Sequence, residues 1–75
     1  MQELIEFVVK SIVSDKDAVS VDVVKDTKFN LYTVSVAQGD IGAVIGKNGK
    51  IAEAIRTVVK SANPRERMRI KFEAK

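Results

Sequence analysis

The period of the apolar residues changes repeatedly along this chain, and each change marks an element. Over residues 2–13, Leu4, Ile5, Val8, Val9, Ile12 and Val13 recur at helical spacing, with Glu3, Glu6 and Lys10 between them and Phe7 widening the stripe. Ser14-Asp15-Lys16-Asp17 is a polar break. The period then drops to two, with Val19, Val21 and Val23 on one face and Ser20 and Asp22 on the other, the mark of a strand with one wet side. Asp26-Thr27-Lys28 reads as a hairpin turn, and Tyr32, Val34 and Val36 alternate with Thr33 and Ser35 in a second strand. Gln38-Gly39-Asp40 ends it, with Asp40 placed to cap a short helix over residues 41–45. Ile51, Ile55, Val58, Val59 and Ala62 form the stripe of a helix over about residues 50–62, stopped by Asn63-Pro64. Met68, Ile70 and Phe72 then point inward from a last strand, with Arg67, Arg69 and Lys71 outward. The expected order is helix, strand, strand, helix, helix, strand. An α+β fold with a three-stranded sheet and helices on one face buries every stripe.

Composition narrows the chemistry. The 75 residues are enough for one small domain, expected over 1–75, with no linker or repeat. The chain has no cysteine and no histidine, so it lacks thiolate ligands, disulfides, the usual general base and the commonest metal ligand. No apolar run reaches the length of a membrane span, and Met1-Gln2-Glu3-Leu4 lacks the positive start of a signal peptide, so a cytoplasmic setting is expected. The charge is divided unevenly. Residues 1–26 hold three bases against six acids, a net −3, whereas residues 27–75 hold ten bases against four acids, a net +6. A polyanion is drawn to the second part.

That basic part contains Gly46-Lys47-Asn48-Gly49, set between the two expected helices. Glycine at each end of a tight link allows close approach of another backbone. The second helix points its positive N-terminal end at the loop, and Lys47 and Lys50 add full charges. The pattern is one for holding phosphate. It is not a P-loop, because the spacing is one residue short and Asn48 stands where a magnesium-binding hydroxyl belongs. It is not a dinucleotide fingerprint either, since that glycine spacing is absent. A second G-x-x-G string, Gly39-Asp40-Ile41-Gly42, carries an acid and an apolar residue inside and reads as a turn with a helix cap.

The flanked string Val44-Ile45-Gly46-Lys47-Asn48-Gly49-Lys50-Ile51, in a chain with this element order, resembles the KH domain, whose G-x-x-G loop clamps the backbone of about four nucleotides. The order matches the prokaryotic, type II arrangement, and the resemblance covers essentially the whole chain. The run from Ile45 to Val59 is similar to the small stand-alone bacterial KH proteins of the KhpA family. The resemblance implies a non-catalytic binder of single-stranded RNA, an RNA chaperone or post-transcriptional regulator, needing no cofactor, metal, membrane or small-molecule substrate. It places the contacts at Ile45, Gly46, Lys47, Asn48, Gly49, Lys50 and Ile51, with bases in an apolar groove to which Val44 and Ile55 are near. It also implies pairing, as a homodimer or as a heterodimer with a second KH-domain protein. The alternative reading is a protein-interaction module joined to a larger Jag-type KH protein in control of cell elongation and division.

Three further features bear on partners. Arg67, Arg69 and Lys71 share one strand face, which reads first as a solvated surface and second as an electrostatic contact for longer RNA. On the second long helix, Arg56 and Lys60, four apart, carry the same two readings, since Glu53 can pair with Arg56. Val24 and Leu31 oppose the inward faces of their strands, and Phe7 lies at the margin of its helix, so some of the three are expected to stay exposed as a partner surface.

Overall fold

A computed structural model describes residues 1–75. Helix α1 spans Gln2–Lys10, strands β1 and β2 span Ser20–Lys25 and Asn30–Val36, helices α2 and α3 span Ile41–Ile45 and Lys50–Ala62, and strand β3 spans Met68–Ala74. This is the expected order, and the fold is a type II KH domain. The sheet order is β1-β2-β3, with β2 antiparallel to β1 and parallel to β3. The register sets Val23 opposite Tyr32 and Tyr32 opposite Ile70, so the apolar residues of all three strands, Val24 and Leu31 excepted, fall on one face. Ile5 and Val9 of α1 and Ile55 and Val59 of α3 close over that face with Val34 and Val36, forming one core.

The first helix is shorter than its apolar stripe. It ends at Lys10, and Ile12 and Val13 reach the core from a tightened turn in which the Ser11 N–H is shared between the Phe7 and Val8 carbonyls. The reason lies far away in sequence. The Asp40 carboxylate accepts the backbone N–H groups of Ser14 and Asp15, each at 3.0 Å, and so draws the chain off the helical path. Asp40 stands at the N-cap position of α2, but its side chain makes no capping bond there, which corrects the expected role. Those two N–H bonds, Asp15 foremost, hold its carboxyl below the usual carboxylate range.

The link from α3 to β3 is fixed by Glu66. Its carboxylate accepts the Tyr32 hydroxyl and, at 3.0 Å, the Asn30 side-chain amide. The two bonds lower the Glu66 pKa, while burial, followed by the bond to Glu66, pushes the Tyr32 phenol up to about 12. The other face of the sheet is uncovered. Val24 is 62 % exposed there, whereas Leu31, on the central strand, is half-buried by its neighbours. Phe7 is 74 % exposed on α1. The expectation of residual apolar surface therefore holds for Val24 and Phe7.

Candidate nucleic-acid interface

Helix α2 ends at Ile45, and the Gly46 N–H closes its last turn onto the Gly42 carbonyl at 2.9 Å. Residues Lys47–Gly49 then make a single 3₁₀ turn, closed by the Gly49 N–H on the Gly46 carbonyl at 3.2 Å, and α3 starts at Lys50. Three of these four residues have positive φ: Gly46 at +73°, Asn48 at +57° and Gly49 at +73°. The sequence supplies the residue types that tolerate this. Glycine carries no steric penalty there, and asparagine is enriched in the left-handed region.

The two glycines are needed for different reasons. A Cβ on Gly46 would lie 2.5 Å from Ile51 Cγ1 and 2.8 Å from Ile51 Cβ, so the missing side chain is what lets Ile51 fold back over the turn. A Cβ on Gly49 would meet nothing within 4 Å. At Gly49 the left-handed backbone is the constraint, and the bare Cα opens onto free space. The close-approach argument from sequence therefore applies outward at Gly49 and inward at Gly46.

The polar residues of the loop are uncommitted. Lys47, Asn48 and Lys50 are exposed, and none makes an ion pair or a side-chain hydrogen bond within the chain. No side chain caps α3, so the positive end of a 13-residue helix opens beside two ammonium groups. An anion set against this turn meets N–H dipoles and two full charges, with no competing acid inside the loop.

The apolar candidates separate into two pairs. Val44 and Ile55 are buried, at 0 % and 3 % exposure, and belong to the core. Ile45 is half-buried against that core, and Ile51 is 38 % exposed over Gly46. Of these four, only Ile45 and Ile51 present apolar surface beside the loop. The seven residues expected at the site, Ile45 through Ile51, run from the end of α2 through the 3₁₀ turn into the start of α3, and none of them is buried.

Arg56 turns away from its helix neighbour. It makes no pair with Glu53; its Nε donates to the Ile70 carbonyl at 3.1 Å, and its guanidinium lies 5.4 Å from the centre of the half-buried Phe72 ring. An arginine two turns into α3 is thereby tied to the outermost strand, where it occupies a free backbone acceptor of the sheet edge. Spacing along α3 alone favoured the pair with Glu53. The strand contact depends on how close α3 lies to β3, which spacing along α3 does not encode.

Comparison with known proteins gives the family. The family model described as KhpA/KhpB, KH domain matches residues 2–74. Among curated relatives, the RNA-binding protein KhpA of Clostridium acetobutylicum is 42 % identical over 73 residues, covering 97 % of each chain. The RNA-binding protein KhpA of Caldanaerobacter subterraneus is 41 % identical over 70 residues, 93 % of each chain. That of Borreliella burgdorferi is 39 % identical over 71 residues, 95 % of this chain and 87 % of its own. No solved structure matches the chain. With a family model spanning nearly its whole length and a backbone of the same element order, the chain belongs to the KhpA/KhpB family of KH-domain proteins.

Proposed function

We propose that this chain is a non-catalytic RNA-binding protein that clamps the backbone of single-stranded RNA at Gly46–Gly49. One observation carries the reading: a turn with three left-handed residues presents uncommitted Lys47 and Asn48 at the uncapped start of α3. Phosphate is the anion such a turn suits, and a clamp of this kind in the KH fold holds about four nucleotides. The names of the relatives, RNA-binding protein KhpA, support RNA as the polymer. Ile45 and Ile51 supply an apolar rim for bases, and with no aromatic residue in the loop the base readout is weak. Asp40, Glu66 and Tyr32, the groups with displaced ionisation, are each occupied in scaffold hydrogen bonds, which favours binding without catalysis. The setting we infer is the cytoplasm, in an RNA chaperone or post-transcriptional role.

The test is Lys47→Asp with Asn48→Asp. Both side chains are exposed and unbonded, so stability should change by no more than about 1 kcal/mol. Affinity for single-stranded RNA, read by fluorescence anisotropy, should fall at least about tenfold because repulsion replaces attraction. Unchanged binding by a double variant with a wild-type circular dichroism spectrum removes the clamp.

A second reading concerns assembly. Phe7 on α1 and Val24 on the open sheet face are large apolar side chains left in water, at 74 % and 62 % exposure, and each offers an apolar contact on its own face. We infer pairing with a second copy or with another KH-domain protein, leaving Lys47 and Asn48 free. A strictly monomeric mass by light scattering at high micromolar concentration removes the homodimer. Pull-down of a KH partner that survives ribonuclease supports the heterodimer.

A further inference from the structure

The uncovered face of the sheet is not uniform. Its β3 edge carries Arg69 and Lys71, with Arg67 in the residue just before the strand, all exposed and at alternate positions. Alternate strand residues recur about every 6.6 Å, close to one nucleotide of an extended single strand. The acids nearby do not neutralise them. Neither Arg67 nor Arg69 has an ion-pair partner, and Lys71 reaches Glu73 only at 4.0 Å with both side chains largely in water. The Arg69 guanidinium lies 4.9 Å from the centre of the Phe29 ring, a planar cation on a half-buried aromatic. At the foot of this track is a shallow depression whose lining includes Lys28, Phe29, Arg65 and Arg67. Its two acids are both engaged, Asp26 by Thr27 and Glu66 by Asn30 and Tyr32. Both carboxylates keep their negative charge, so the depression holds three cations against two acids, and the excess is positive.

We propose that this β3 track, Arg67, Arg69 and Lys71 with the Phe29 ring and with Lys28 and Arg65 at its foot, is a second contact for single-stranded RNA. It takes the part of a strand that runs past the clamp, and so rests on the clamp reading. The route is short. Helix α2, which leads into the loop, packs against β3, and β3 is an outermost strand. Cations at nucleotide pitch suit successive phosphates, and a guanidinium stacked on an aromatic ring is a platform on which a base stacks.

The experiment compares unstructured RNAs of about four and about twelve nucleotides by anisotropy over a salt series. The variant is Arg67→Gln with Arg69→Gln. The control is Lys10→Gln with Lys16→Gln, the same charge change made in the acidic part of the chain. The arginine variant should weaken the long RNA at least about fivefold and reduce its salt slope by about 1.4, roughly 0.7 per lost cation. It should leave the short RNA within about twofold, and the control should match wild type for both. An unchanged affinity and slope for the long RNA overturns the proposal. So does an equal loss in the control, which makes the effect one of net charge, or lost self-association with RNA binding intact, which makes the face a protein contact. The clamp is judged separately: if Lys47→Asp with Asn48→Asp still holds the short RNA, the clamp reading fails whatever the arginine variant does.

Discussion

Two G-x-x-G strings lie seven residues apart in this chain, and they have opposite fates. In Gly39-Asp40-Ile41-Gly42 neither glycine has positive φ, and the one charged side chain is buried and turned inward onto Ser14 and Asp15. In Gly46-Lys47-Asn48-Gly49 both glycines have positive φ, and the polar side chains turn outward with no partner. The first string ties the end of α1 to the start of α2. The second leaves a cationic turn open to solvent. What separates them is where the hydrogen-bonding capacity is spent, internally in one and on nothing within the chain in the other.

The sharpest way to break the comparison is to put a methyl on each string. Gly46→Ala meets both a left-handed φ and the Ile51 side chain, including its Cβ, which α3 holds in place. The φ penalty of about 1–2 kcal/mol and overpacking of about 1–3 kcal/mol should together cost about 2–5 kcal/mol, a large part of a small domain's stability. Gly42→Ala lies in α2 with ordinary φ and open space around the new Cβ. It should stabilise by about 0.5–1 kcal/mol, because alanine favours the helix and restricts the unfolded chain. Urea unfolding midpoints read both. Equal and small effects at Gly46 and Gly42 would show that the two strings are conformationally alike.

Asp40 tests the inward-turned string. Asp40→Asn keeps the shape but loses the charge that two backbone N–H groups point at, so the melting temperature near neutral pH should fall. The sign with pH follows from the lowered pKa. The folded carboxylate releases its proton more readily than the unfolded one, so the stabilisation is complete above the ordinary value of about 3.9 and fades as pH falls through the lower folded value. The gap between wild type and Asp40→Asn should therefore close in acid. RNA affinity should not change. A gap that persists undiminished in acid would assign the loss to packing rather than to the charge.

Most of the fold is legible in the sequence because its signals are local. Alternation along β1, β2 and β3, the α3 stripe and the stop at Asn63-Pro64 each sit within a few residues of the structure they specify. The turn at Gly46–Gly49 is legible for the same reason, as glycine and asparagine declare left-handed φ on the spot. The features that sequence misplaces are long-range. The shortened α1 depends on Asp40, which is 26 residues from Ser14, and Arg56 turns to the Ile70 carbonyl, 14 residues away, rather than to Glu53. Local rules predict a cap and an i,i+3 pair at those positions, and tertiary partners outbid both. The Tyr32–Glu66 bond is invisible to pattern reasoning for the same reason.

The smaller predictions separate shape from chemistry inside the outward-turned string. Gly49→Ala keeps open space around the new Cβ but forces alanine to φ +73°, so it should cost about 1–2 kcal/mol, less than Gly46→Ala. Asn48, at φ 57°, allows a finer division. Asn48→Gly relieves the left-handed residue of its Cβ and removes the amide, so stability should stay within about 0.5 kcal/mol of wild type. Asn48→Ala also removes the amide but keeps the Cβ, and should cost up to about 1 kcal/mol. If the amide contacts RNA, both variants lose affinity together, by about three- to tenfold for one hydrogen bond. If Asn48 serves only to hold the turn, affinity follows stability, falling in Asn48→Ala and not in Asn48→Gly. Anisotropy and urea midpoints on the same two proteins decide which.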